Sequence, residues 1–218
     1  MKKLLLNILL MSSFFVLAQD KAPTLPRFSI RANMGIPKAT SSEAFRNSFS
    51  GVLTGDASMN CKIFSNFFVG AGYSYTYFKS QRYFRERNLN TNMQSHNGYM
   101  KIGFDKFFSD NGFATFALNA GYNYNTFEGI TYRNDSLIGK YPTNFTSSFA
   151  EAVIGLYFIV DPNFAIGGHI SYNYNFSQFN PKYPGFDKWF TYDKVRNNWN
   201  ISMITLGFGF YYGLTRSK

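Results

Sequence analysis

The chain has 218 residues, with 22 Lys and Arg against 12 Asp and Glu and a formal charge of +10 at pH 7. One residue in five is aromatic, and Asn, Ser, Gly and Tyr recur together. A single cysteine, Cys61, excludes an intramolecular disulfide and a cysteine-based metal site.

Met1 to Ala18 opens with Lys2 and Lys3, continues through apolar runs at Leu4–Leu10 and Phe14–Leu17, and places Val16 and Ala18 ahead of a cut before Gln19. This is the pattern of a cleaved secretory signal peptide (residues 1–18). Residues 19–218 then form one all-β domain. No cysteine follows the cut, so no lipoprotein anchor is expected. Removing the two signal lysines leaves 20 basic against 12 acidic residues, a mature charge of about +8. A basic chain can seek nucleic acid, but the secretory signal directs this one towards anionic lipopolysaccharide or phospholipid headgroups instead. No other stretch approaches the roughly 18 consecutive apolar residues of a membrane helix.

Eight segments alternate with period two, the mark of strands with one apolar face. They run Arg27–Ile36, Phe49–Ile63, Phe67–Phe78, Asn97–Phe107, Phe113–Phe127, Ser147–Val160, Phe164–Phe176 and Trp199–Tyr212. In the last, Ile204, Leu206, Phe208, Phe210 and Tyr212 share one face, while Thr205, Gly207 and Gly209 share the other. The links after the second, fourth and sixth segments are short and rich in turn formers, as at Ser109-Asp110-Asn111-Gly112 and Asp161-Pro162-Asn163. The other links are long and polar: Pro37–Ser48, Lys79–His96, Glu128–Thr146 and Ser177–Asn198.

An even strand count, alternating short and long links, and segments near the ~9–11 residues of a tilted bilayer-crossing strand predict an all-β, eight-stranded antiparallel up-and-down transmembrane β-barrel. The inverse arrangement, a soluble barrel with its apolar face inward, is excluded by volume. About forty bulky side chains cannot enter an interior that eight strands leave only just wide enough to fill. The Gly-, Ser-, Thr- and Asn-rich face can. Tyrosines at the long-link ends of the third, fifth and seventh segments suit an interfacial girdle.

The whole mature chain resembles the small eight-stranded outer-membrane proteins, and its Asn/Tyr/Phe-rich style is similar to that of the Bacteroidota. The aromatic, alternating last strand resembles the closing strand by which such barrels are inserted, although Gly213 to Lys218 follow it. The resemblance implies an outer-membrane location with both termini periplasmic and the long links extracellular. It also implies a non-enzymatic role, structural or as an accessory subunit of a protein-secretion or barrel-assembly complex that binds partners through its long links or its lipid face; porin-like barrels belong to the same group, but eight strands leave no wide aqueous channel. It carries no residue-level functional motif, and no cofactor or metal is expected. His96 has no partner at metal-binding spacing.

Candidate sites follow from residue type and parity. His169 and Ser171 share one face of the seventh segment, with Glu151 on the sixth. A His and Ser with a neighbouring carboxylate is the raw material of nucleophilic catalysis, and the spacing is similar to the His-x-Ser of outer-membrane lipid A deacylases. Here Gly168 stands where that family has a basic residue. Parity turns His169 inward, away from lipid, so this hydrolase is the alternative to the non-enzymatic reading. Inward parity also gives Arg31, Asp56, Lys101, Asp105 and Glu151, which predicts a paired charge network because an isolated interior charge is costly. Lys79, Arg82, Arg85 and Arg87 in the second long link are candidates for gripping lipopolysaccharide phosphates. Phe186, Trp189 and Phe190 in the fourth are candidates for binding a partner, since exposed apolar clusters mark contact sites.

Overall fold

The computed structural model describes residues 25–41, 43–81, 89–133, 136–180, 183 and 200–214, with 89–90, 129–133 and 136–142 described as backbone only. Eight antiparallel strands follow in chain order: β1 (Phe28–Ala39), β2 (Phe49–Phe64), β3 (Phe67–Ser80), β4 (Leu89–Ser109), β5 (Gly112–Arg133), β6 (Ser136–Asp161), β7 (Phe164–Gln178) and β8 (Asn200–Gly213). Each pairs with its sequence neighbour, and β8 returns to β1 over Ser29↔Gly213 to Ala39↔Met203. The sheet closes into a barrel with no free edge along its body. Closure of this kind satisfies every ladder hydrogen bond internally, as a membrane-spanning sheet must.

The side chains sort as the alternation predicts. Ile30, Met34, Met59, Met100, Ile102, Leu118, Leu156, Ile170, Leu206 and Phe208 stand exposed around the whole circumference. Ser29, Arg31, Asn33, Ser58, Lys101, Asp105, Asn119, Ser171 and Thr205 are buried. Polar inside and apolar outside is the inverse of a water-soluble protein, whose apolar patches rarely exceed a few hundred Å². A continuous apolar belt requires hydrocarbon around it. No described helix is long and apolar enough to cross a membrane. Tyr73, Tyr122, Tyr124 and Tyr172 rim the belt at the long-link end, where ring and hydroxyl suit the bilayer interface.

The short turns fall at 65–66, 110–111 and 162–163. At the first, Ser65 adopts a φ of 45°, the left-handed conformation that tight hairpin turns demand. Asp161 caps the third by accepting from the Asn163 backbone N–H at 3.2 Å.

Three long links depart from expectation. The segment Glu128–Thr146 is strand for nearly all its length. β5 and β6 continue as a two-stranded ribbon from Phe127↔Thr143 to Arg133↔Ser136. Its β6 half pairs with β7 only from Phe149 onward, so Pro142 sits on a strand with one unpaired side, where a proline is tolerated. β4 likewise starts at Leu89, well inside the expected link Lys79–His96. Within the expected link Pro37–Ser48, β1 runs on to Ala39, and a one-and-a-half-turn helix, α1 (Glu43–Ser48), follows. Glu43 in its first turn and Arg46 in its last complement the helix dipole. Six residues are too few to show a helical period.

Candidate functional site: the barrel interior

The interior is built in three layers. The first closes the long-link end. α1 inserts Phe45, fully buried, between Phe49, Phe78 and Phe179 at centroid distances of 5.2, 5.2 and 5.3 Å. Met93, Phe127, Ile201 and Met203 complete this plug, and Tyr183 stacks on Phe145 beside it. The helix exists where it does because one face, Ala44 and Phe45, has this cluster to bury against. These rings occupy the inward face that the sequence describes as small and polar. At the ends of the strands that description gives way to aromatics, because there is no solvent-filled lumen to line.

The second layer, midway, is polar. Asp56 accepts from Asn33 Nδ2 at 2.6 Å and from the Tyr99 hydroxyl. Tyr157 donates to Asn33 Oδ1 at 3.0 Å. Lys101 Nζ donates to Ser58 Oγ at 3.0 Å. Glu151 accepts from Asn119 Nδ2 at 2.8 Å and lies beside Ser171. Nearer the plug, Asn123 Oδ1 accepts from Asn125 Nδ2 at 2.8 Å and from Ser147 Oγ at 2.7 Å. A cavity in this layer, lined by Asn33, Asp56, Asn119, Glu151 and Ser171 among others, holds about 20 Å³, room for about one water molecule.

The third layer closes the short-turn end. Arg31 pairs with Asp105 at 2.6 Å, both almost fully buried. Thr115 ties the pair, accepting from Arg31 Nη1 at 3.0 Å and donating to Asp105 Oδ1 at 2.7 Å. The guanidinium lies over the rings of Phe68 at 4.1 Å and Tyr211 at 5.3 Å. Phe113 stacks on Tyr157 at 5.3 Å and meets Tyr211 edge-on, with Phe107 alongside. Inward glycines make room for these rings. A Cβ on Gly103 would stand 2.3 Å from the Phe68 ring, and one on Gly72 2.5 Å from the Tyr99 ring.

The predicted network is therefore only partly one of ion pairs. Arg31 answers Asp105, but Lys101 reaches no carboxylate within ion-pair distance among the described residues. Register explains this. Lys101 and Glu151 lie in one cross-strand row with Asn119 between them, about 10 Å apart at normal strand spacing. Amides and hydroxyls on β1, β4, β5 and β7 hold Asp56 and Glu151 instead.

The hydrolase candidates are brought together only in part. Ser171 is beside Glu151, but His169 opposes Gly155 while Glu151 opposes Asn173. That offset is four residues, about 13 Å along the strand. The His169 ring hydrogen-bonds the backbone of Phe208, and its Nδ1 has no partner. Among the described residues, then, no hydrogen bond joins His169 to Ser171 or to Glu151. No cluster of His, Cys, Asp and Glu among them could hold a metal. Arg82, Arg85, Arg87, Phe186, Trp189 and Phe190 lie outside the described residues. Lys79 is half-buried at the long-link end of β3.

The two plugs are not legible in the alternation alone. Phe68, Phe78 and Phe113 stand on the inward parity of their strands, but Phe49 has the outward parity of β2 and turns in only because the register shifts between Gly51 and Leu53.

Together, the closed topology, apolar exterior and filled interior define an eight-stranded antiparallel transmembrane β-barrel of outer-membrane architecture. Among solved structures the chain is similar to a major outer membrane protein from Thermus thermophilus (8% identity, 85% of this chain and 98% of that chain, TM-score 0.56). It is also similar to Neisserial surface protein A (16%, 88% and 99%, TM-score 0.49) and to Ail, the attachment invasion locus protein of Yersinia pestis (13%, 87% and 100%, TM-score 0.46). At such identities the likeness concerns the fold alone. No protein-family model matches the chain, and no curated protein matches it by sequence.

Proposed function

We propose that the chain is a non-enzymatic outer-membrane barrel, structural in itself or an accessory subunit of a larger outer-membrane complex. The observation that carries this reading is the filled interior: two aromatic plugs enclose a polar layer whose cavity holds about 20 Å³. A barrel that passes no solute has only its lipid face and its links with which to work. The alternation of short turns with long links supports an orientation with termini in the periplasm and long links outside. The mature charge of about +8 suits contact with anionic lipopolysaccharide.

Affinity purification from detergent-solubilised membranes tests the accessory role. A stoichiometric co-purifying complex is expected, which Phe186→Ser, Trp189→Ser and Phe190→Ser together would release from a still-folded barrel. Purification of the barrel alone, under conditions that preserve known membrane complexes, would refute the accessory role and leave the structural one. The hydrolase alternative predicts a loss of lipid A acyl chains that disappears in His169→Ala and Ser171→Ala. The offset of His169 from Glu151 supports the opposite expectation, that wild type and variants leave lipid A acylation alike.

A further inference from the structure

The apolar belt carries a hollow. On the outer face of β1, β7 and β8, with contributions from β2 and β6, lies a groove of about 810 Å³. This is in the range of small-molecule clefts, ~300–1,000 Å³. Gly168 is its floor: it faces outward, with Leu156 opposite on β6 and Phe208 opposite on β8 as walls. A Cβ at Gly168 would meet only the Gly207 carbonyl oxygen, at an ordinary 3.7 Å. Nothing in the fold requires a glycine there, so the hollow is not a by-product of tight packing.

Above the groove, towards the long-link end, one cross-strand row reads Lys38, Ile204, Tyr172. Lys38 is exposed and pairs with no carboxylate among the described residues. The Tyr172 ring is exposed too. Two strand spacings separate them, about 10 Å. The next row down is Ile36, Leu206 and Ile170, the upper lining of the groove. A cation and a hydroxyl thus stand one row beyond an apolar slot, on its long-link side.

We propose that this groove seats an acyl chain of lipid A, with a lipid A phosphate on Lys38 and a headgroup oxygen accepting from the Tyr172 hydroxyl. The inference rests on the orientation proposed above, which places Lys38 in the outer leaflet. Hydrocarbon offers no hydrophobic gain over the surrounding lipid. The selectivity comes from shape at Gly168 and from charge at Lys38.

The test is native mass spectrometry of the purified full-length barrel in mild detergent, titrated with bis-phosphorylated lipid A or with phosphatidylglycerol. Saturable lipid A binding is expected, tighter than that of phosphatidylglycerol. Lys38→Gln should weaken it about fivefold, the effect of one lysine at an anionic surface. Gly168→Leu should abolish the saturable component. Gly98→Leu is the matched control: an added Cβ there meets nothing within 4 Å, and Gly98 lies on β4 across the barrel. It should bind as wild type does. Equal binding of the two lipids, or wild-type binding by Gly168→Leu, would overturn the proposal. Orientation is checked separately by impermeant maleimide on whole cells carrying Asp187→Cys in a Cys61→Ser background. Labelling from outside with no lipid A binding defeats the groove alone. Labelling only after the outer membrane is opened defeats the orientation, and with it lipid A as the occupant.

Discussion

The Arg31–Asp105 pair is the sharpest test of the interior. Asp105→Asn keeps the volume and leaves an oxygen for Thr115, but removes the charge opposite a guanidinium that is almost fully buried. Breaking one side of a buried pair costs about 3–5 kcal/mol. Phe68 and Tyr211 still present their ring faces to Arg31, and a desolvated cation–π contact is worth up to about 2 kcal/mol. The lower end of the range, about 3 kcal/mol, is therefore expected. Arg31→Met with Asp105→Leu should recover most of that loss, since a buried pair replaced by apolar groups is close to neutral. The assay is urea unfolding of the refolded barrel in lipid vesicles, followed by tryptophan fluorescence and by heat-modifiable gel migration. A double-mutant cycle then isolates the coupling. A loss below about 1 kcal/mol for Asp105→Asn, or additive behaviour in the double variant, would refute the argument that this pair holds the short-turn end together.

Other expectations can be checked with the same material. Glu151→Gln should cost less than Asp105→Asn, about 1.5–3 kcal/mol, because amide and hydroxyl donors rather than a cation hold that carboxylate. Lys38→Gln, an exposed change, should stay within about 0.5 kcal/mol of wild type in the same titration. Gly103→Val should lower the unfolding midpoint by displacing the Phe68 ring from Arg31, whereas Gly98→Val, facing open space, should not. In a planar bilayer the wild-type barrel should be electrically silent; steady large single-channel currents would show that the plugs do not close it. Cys61, on the apolar outer face between Phe28 and Val69, should react with a membrane-soluble maleimide and resist a charged one. Equal labelling by both would place that face in water.

Alternation by itself determined which residues face lipid and which face inward. A strand's side chains have period two whatever its neighbours do, so Met59, Leu206 and Phe208 could be placed outside and Arg31, Lys101 and Asp105 inside without any register. The count of alternating segments determined strand number, and the short links determined antiparallel order across them, because a parallel pair needs a crossover of about a dozen residues or more. What each inward residue touches was beyond that reading. Partners such as Arg31 and Asp105 are 74 positions apart, and whether they meet across the interior is set by the shear with which the barrel closes. Strand register puts Asn119 between Lys101 and Glu151, and sets His169 four residues from the position opposite Glu151. Tertiary structure likewise decided the ends. Phe45 belongs to a helix too short to announce itself, and it is buried because Phe49 at the start of β2, Phe78 on β3 and Phe179 just past β7 converge on the barrel mouth. The groove at Gly168 has the same origin: a glycine in an alternating strand is unremarkable until closure sets Leu156 and Phe208 on either side of it.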